Sequence, residues 1–304
     1  MAPTPSGYLH VGNAVSFLLT DWLARAAGGR LLLRIDDFDL GRARRQYLDD
    51  IIAVLAWLGI KVADGPSDGS DLAAWSMSAR TALFRAALDE LRAAHPSLVF
   101  ACRCSRRTLG PGGMCVAGCG NSGAAHVPGE SVIRLHVPPG STVQIGRGQP
   151  ANVPLPVPPG DHVLWRRDDL PAYHLGSVVA DEALGVNAVV RGMDLLESTA
   201  LQLHLAGLLP APGFAAADFR HHGLITAADG HKLSKSAGAQ AHPLTRTPQL
   251  RAQIHAWAAS LGAGVGIAPG GAVGAGVAVQ LVRSTEIVNA ARNVPPRGTT
   301  SIGS

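Results

Sequence analysis

This sequence predicts an α/β fold built as two strand-and-helix halves on either side of an inserted segment. Three observations carry that expectation. Helical and strand-like apolar periods alternate up to about residue 95, the alternation resumes after about residue 130, and all four cysteines fall between, at positions 102 to 119.

The elements follow in order. The opening MAPTPSGYLHVGN, rich in Pro and Gly, runs into an amphipathic helix over residues 13–27. GRLLLRID reads as a buried strand ending in acids, and RRQYLDDIIAVLAWLGI as a second helix stopped by Gly59. A third helix, SARTALFRAALDELRAA, precedes the shift to Gly, Pro and Cys. Alternation returns in SVIRLHV and VLWRRD, and LPAYHLGSVVADEALGVNAVVRGMDLLESTALQLHLAGLL then reads as helix, strand and helix. Beyond residue 240 one helix is expected in TPQLRAQIHAWAASLG; the glycine-rich stretch after it carries no motif, and the tail from Asn293 to Ser304 is expected to fray.

At 304 residues and 47% hydrophobic content, the chain has material for one or two domains with a sizeable core, which excludes a disordered or disulfide-stapled class. No apolar run approaches the roughly 20 residues that span a bilayer, and no basic segment followed by an apolar one opens the chain. A soluble cytoplasmic protein, without a membrane partner, is expected. The net charge of +4 is mild, but its make-up is skewed, with three lysines (Lys61, Lys232, Lys235) against 23 arginines.

Two segments suit a phosphate. The opening loop delivers His10 to the start of a helix, where an imidazole and free backbone N–H groups meet at one point. In HKLSKS, Lys232 and Lys235 stand three residues apart on a Gly-flanked loop, in a chain that elsewhere supplies positive charge with arginine. Flexible point charges of this kind follow a phosphate in motion. The cysteines, spaced C-x-C, ten residues, then C-x₃-C, offer four thiolates on a Gly/Pro-rich loop, enough for a tetrahedral structural zinc site at Cys102, Cys104, Cys115 and Cys119. His126 is a substitute ligand by position but is expected to be solvated.

In combination these motifs mark a family. APTPSGYLHVGN resembles the HIGH signature and KLSKS the KMSKS signature of class I aminoacyl-tRNA synthetases. Between them LLLRIDDFDLGR is similar to the R-x-E-D-x-D-x-x-R segment of the glutamyl and glutaminyl branch, and AYHLGSVVADEALGVNAVVRGMDLLEST resembles that branch's second-half motif. Full glutamyl enzymes carry a large helical anticodon-binding region after KMSKS, whereas 68 residues follow Ser236 here. The resemblance is therefore to a truncated, zinc-bearing branch that activates glutamate and attaches it to the queuosine base of tRNA(Asp) instead of the 3′ end.

That resemblance implies a class I synthetase fold: a Rossmann-type parallel sheet, an inserted zinc-binding subdomain and a short helical C-terminal tail. The halves of the catalytic domain are expected at 1–95 and 151–240, the insertion at 96–150 and the C-terminal region at 241–304. It implies ATP held by His10, Gly12 and Asn13, with Lys235 stabilising the departing pyrophosphate, Lys232 assisting, and Mg²⁺ accompanying ATP without a dedicated protein cage. It implies glutamate held by Asp36, Tyr173 and Arg191, a tRNA acceptor, and a monomer. The chain departs from the family pattern in four places. Asp36 stands where glutamate is usual, Ala180 replaces the first acid of a V-V-D-D run and leaves Asp181, and Cys115 stands near a usual tyrosine. The family's arginine two residues before Ala2-Pro3 has no counterpart. His221 and His222 lie upstream of the lysine loop, and one of them is placed by family position near adenosine, without being assigned as a site residue. Two other functions fit the same residues: a paralogue that activates a different amino acid for a non-tRNA acceptor, and a non-catalytic regulator that binds nucleotide or tRNA.

Overall fold

The structure, a computed structural model, describes residues 1–39, 41–68, 75–149, 154–225 and 242–269. Helix α1 (Val11–Ala26) begins at a reciprocal cap in which His10 Nδ1 accepts from the Asn13 backbone N–H at 3.3 Å and Asn13 Oδ1 accepts from the His10 N–H at 3.1 Å. The sequence expected this helix two residues later; the cap moves its start to Val11. Helix α2 (Arg45–Leu58) ends at Gly59, whose φ of 77° is the left-handed conformation that terminates a helix at low steric cost. Helix α3 (Thr81–Ala94) buries Phe84, Leu88 and Leu91, four and three residues apart on one face.

The expected strand GRLLLRID is extended and hydrogen-bonded along both edges, yet it forms no regular ladder. Arg34 and Asp36 donate to Met1 O (2.9 Å) and Pro3 O (3.1 Å), and Leu33 donates to Asp64 O (2.8 Å). Parallel bridges join Leu32 to Asp64 and Ile35 to Ser76. Its partners are short segments scattered along the chain, so the pairing is real but piecemeal.

The remaining strands divide into three sheets among the described residues. An antiparallel sheet orders β1 (Val99–Cys102), β2 (Val132–Val137) and β6 (Gly160–Trp165), and a small one pairs β3 (Thr142–Gln144) with β5 (Pro154–Pro156). The third is parallel, with β8 (Asp218–His222) between β4 (Arg147–Gln149) and β7 (Ala188–Gly192). Helices α4 (Tyr173–Ala183), α5 (Leu196–Leu208), α6 (Pro212–Ala215) and α7 (Pro248–Ala263) complete the described fold.

Two apolar cores result. One joins α3, the antiparallel sheet, α4, α5 and β8; the other joins α1, α2, the 31–35 segment and α7. Phe38 belongs to the first of these cores, at a position that depends on a glycine. Its ring meets Phe84 edge-on at 5.2 Å, and a Cβ on Gly176 would lie 2.8 Å from it. The missing side chain at Gly176 lets the 34–38 segment close against α4, which is the approach that assembles the site.

Candidate active site

A cavity of about 360 Å³ runs along β7 and past the carboxyl end of β8, between the N-terminus of α1, the 32–36 segment and α4. This is the usual position for ligands in open parallel α/β sheets. Its walls hold six of the residues singled out from the sequence: His10, Gly12, Asn13, Asp36, Tyr173 and Arg191. Lys232 and Lys235 lie outside the described residues.

At the α1 end, His10, Gly12 and Asn13 line the cavity, and the helix dipole gives that end partial positive charge. Gly12 leaves room for the cap: a Cβ there would stand 3.0 Å from His10 Nδ1 and Cε1, so the imidazole would have to shift. Ser16, one turn into α1, meets His222 Nε2 at 2.8 Å, while His222 Nδ1 lies 2.7 Å from Gly223 O. A carbonyl only accepts, so Nδ1 carries the proton; burial holds the His222 pKa below its ordinary value, and Nε2 of the neutral ring is an acceptor that competes with Gly12 O, 3.0 Å away, for the one Ser16 hydroxyl proton. His222 was not assigned a role from sequence, yet it forms part of the wall. His221, whose Nε2 lies 2.6 Å from Thr199 Oγ1, is not among the lining residues.

The opposite wall is built on a charge triad. Arg34 donates from Nε to Asp36 Oδ1 (2.6 Å) and from one terminal nitrogen to Asp36 Oδ2 (3.0 Å), and its other terminal nitrogen reaches Asp181. Burial disfavours the Arg34 charge, but Asp181 and Asp36 outweigh it and raise its pKa. Burial is also the largest influence on Asp36, whose pKa it raises against the pull of Arg34. With all three groups ionised the triad carries a net charge of −1, and the buried Met1 amino group, whose pKa burial and Arg34 lower to about 6, lies close enough to interact with all three. Sequence reasoning passed over Arg34, although R-I-D in an extended segment places Arg34 and Asp36 on one face. The departure at Ala180 has a simple place in the fold: Ala180 is 1% exposed in the core, while the neighbouring Asp181 turns to the cavity.

Arg191, at the end of β7, is a cation without a carboxylate partner among the described residues. It lies over the Phe219 ring at 5.3 Å and donates to Gln202 Oε1 at 2.8 Å. Burial lowers its pKa, opposed by Tyr173 and Asp181, and Tyr173 is also hydrogen-bonded to it. Tyr173 opens α4 and is 46% exposed, at the rim. The cavity thus offers a buried cation at one place and a net anion at another, the pattern a zwitterionic ligand requires.

Away from the cavity the four cysteines converge. Cys104 Sγ lies 3.6 Å from Cys115 and 3.8 Å from Cys119, and Cys102 lies 3.8 Å from Cys115. A tetrahedral ion with Zn–S bonds of about 2.3 Å holds its sulfurs about 3.8 Å apart, so the donor set fits such an ion. Cys102 ends β1, and the Cys115 N–H donates to Asp161 of β6 at 2.5 Å, so the antiparallel sheet anchors the cluster. Desolvation and hydrogen bonds from neighbouring thiols push Cys104 up to about 12. His126 is not a solvated side chain as expected: it is 6% exposed, with Nδ1 3.0 Å from Ser131 Oγ, and the candidate metal group contains the cysteines alone.

Parallel strands with a cavity at their carboxyl ends and a capped helix N-terminus in its wall define an α/β nucleotide-binding architecture. The family model for class I tRNA synthetases (E and Q), catalytic domain, matches residues 1–83 and 122–262, and the chain belongs to that family. The unmatched gap holds all four cysteines. Glutamyl-Q tRNA(Asp) synthetase of Symbiobacterium thermophilum is 37% identical over 258 residues, covering 78% of this chain and 77% of the relative. The protein of the same name from Burkholderia cenocepacia is 38% identical over 296 residues, covering 90% and 91%. Among solved structures, the glutamate-tRNA synthetase of Elizabethkingia anophelis shares the fold at a TM-score of 0.61 with 22% identity, covering 78% of this chain and 52% of that one. This chain therefore spans about half of that synthetase. Among the described residues no helix is long and apolar enough to cross a membrane.

Proposed function

We propose that this chain activates glutamate with ATP and transfers it to the queuosine base of tRNA(Asp). The observation that carries the reading is the single cavity in which the His10-capped helix N-terminus, the net-negative Arg34–Asp36–Asp181 triad and the buried cation Arg191 meet. The relatives' shared name supports the same substrate and acceptor.

The chemistry is attack by the α-carboxylate of glutamate on the α-phosphate of ATP, forming glutamyl-adenylate and releasing pyrophosphate. No covalent enzyme intermediate is needed, so the protein's work is to position the reactants and neutralise developing charge. His10, Gly12 and Asn13 receive the phosphates at the α1 N-terminus. Asp36, with Asp181, takes the α-ammonium, and Tyr173 and Arg191 take the side-chain carboxylate. Lys235 stabilises the leaving pyrophosphate and Lys232 assists, roles that rest on the KMSKS resemblance. Mg²⁺ enters with ATP. A structural Zn²⁺ is held by Cys102, Cys104, Cys115 and Cys119 in an insertion at 96–150, between catalytic halves at 1–95 and 151–240, with 241–304 as the C-terminal region. The protein acts in the cytoplasm as a monomer.

Pyrophosphate exchange screened over all amino acids, followed by transfer of the activated one to tRNA(Asp) with and without queuosine, tests the reading. Glutamate-dependent exchange and transfer only to the queuosine-containing tRNA are expected. Exchange driven by another amino acid alone would overturn it.

A further inference from the structure

We propose that Gln202 is a specificity-determining residue that, together with Arg191, reads the side-chain carboxylate of the substrate and rejects the corresponding amide. The proposal deepens the glutamate reading above and rests on it.

Gln202 lies on α5, is 0% exposed and lines the cavity. Its Oε1 accepts from Arg191 at 2.8 Å, and since a guanidinium can only donate, the amide orientation is forced. Among the described residues the two N–H bonds of Nε2 have no partner, and neither does Arg191 Nε. Buried donors left unpaired are costly, and here two adjacent residues of one cavity wall leave three N–H bonds between them. Their free capacity is all of one kind. Arg191 has donors only, and Gln202, with its oxygen committed, has donors only. The missing partner must therefore be rich in acceptors and preferably anionic, because Arg191 has no carboxylate partner among the described residues. A carboxylate supplies two oxygens with about four lone-pair sites. A primary amide of the same shape would turn an NH₂ toward groups that only donate, and sites built this way discriminate strongly against the wrong partner.

A structural role for Gln202, holding Arg191 in place and nothing more, gives a different pattern, and substitution separates the two. In Gln202→Glu the new carboxylate still accepts from Arg191, but it cancels that charge and presents acceptors to the ligand. Glutamate exchange should fall at least about 100-fold in kcat/KM, mostly through KM, while glutamine gains relative to glutamate. A holding role, in which position 202 does not touch the ligand, predicts that glutamate exchange falls with no gain for glutamine. Gln202→Met, which removes the donors at similar volume, should raise the glutamate KM about tenfold or more without a gain for glutamine. A thermal melt establishes that each variant folds. Independently of activity, the Gln202 side-chain amide resonance of the unaltered protein, assigned by its loss in Gln202→Met, should shift on adding glutamate and not on adding glutamine at equal concentration. If the chain exchanges pyrophosphate with glutamate while both variants keep the parental KM, or the resonance does not move, the proposal falls and the functional reading stands. If the unaltered chain neither binds nor activates glutamate, both fall.

Discussion

Arg34 and Asp181, 147 positions apart in sequence, form a direct ion pair that ties the 32–36 segment to helix α4. Because Arg34 is 3% exposed and also holds Asp36, removing it strands two carboxylates in the cavity wall. Arg34→Leu should cost about 3 kcal/mol or more in urea unfolding, since breaking a buried pair leaves uncompensated charge. Asp181→Asn keeps an acceptor for Arg34 and should cost less, about 1 kcal/mol, while weakening glutamate binding as the wall loses its net negative charge. Equal stability losses in the two variants would contradict this account of the triad.

His10 serves the helix cap and, in the proposed function, the phosphates, and the two can be separated. Asparagine is a strong N-cap residue, so His10→Asn should stay within about 0.5 kcal/mol of the parent in stability yet lose about 100-fold in pyrophosphate exchange. His10→Ala should lose the exchange and about 1 kcal/mol besides. Full exchange in the asparagine variant would remove the imidazole from the mechanism.

Lys235→Ala should depress exchange by about 10² or more if the ammonium stabilises charge on the departing pyrophosphate. Lys232→Ala should have a smaller effect. Steady-state exchange with saturating glutamate and ATP measures both.

One zinc per chain is expected from metal analysis of protein purified without chelator. Cys104→Ser should lose it, because Cys104 lies within 3.8 Å of two other sulfurs of the cluster. Transfer to tRNA should fail before adenylate formation does, since the cluster lies outside the cavity wall.

His174 should make the fold acid-sensitive. Burial, reinforced by His162 and Arg191, lowers its pKa from 6.5 to about 4. Between those values the unfolded chain binds a proton that the folded chain refuses, so the contribution is complete above about pH 6.5 and declines as pH falls toward 4. A shift of that size corresponds to about 3 kcal/mol at most. In chemical unfolding at pH 7.5 and 4.5, His174→Gln should lose correspondingly less stability than the parent. An identical loss in the two proteins would assign the acid sensitivity elsewhere.

Local chemistry was readable in the sequence, and long-range pairing was not. Gly59 announced the end of α2, the cysteine spacing announced the cluster, and His10, Asp36, Tyr173 and Arg191 do share one cavity. What escaped depends on separation along the chain. The Arg34–Asp181 pair and the Ser16–His222 contact join segments whose proximity no local period encodes. Gln202 looked like one more polar residue in a helix until α5 buried it against Arg191. Strand β8, read from sequence only as FRHHGLIT, is a wholly buried strand with charged and histidine side chains, which hides it from an apolar-run criterion.

Helix α7 packs on α1, closely enough that a Cβ on Gly262 would stand 2.9 Å from Leu19, and it supplies Ile254 and Ala258 to the core around α1 and α2. During synthesis from the ribosome, the first helix made is therefore covered by the last one described. The apolar faces of α1 and α2 stay unsealed until about residue 267 has emerged, whereas among the described residues the core around α3, α4 and α5 reaches no further than Phe219. The later half of the molecule can mature first, and the nascent N-terminal half exposes its apolar faces for longer.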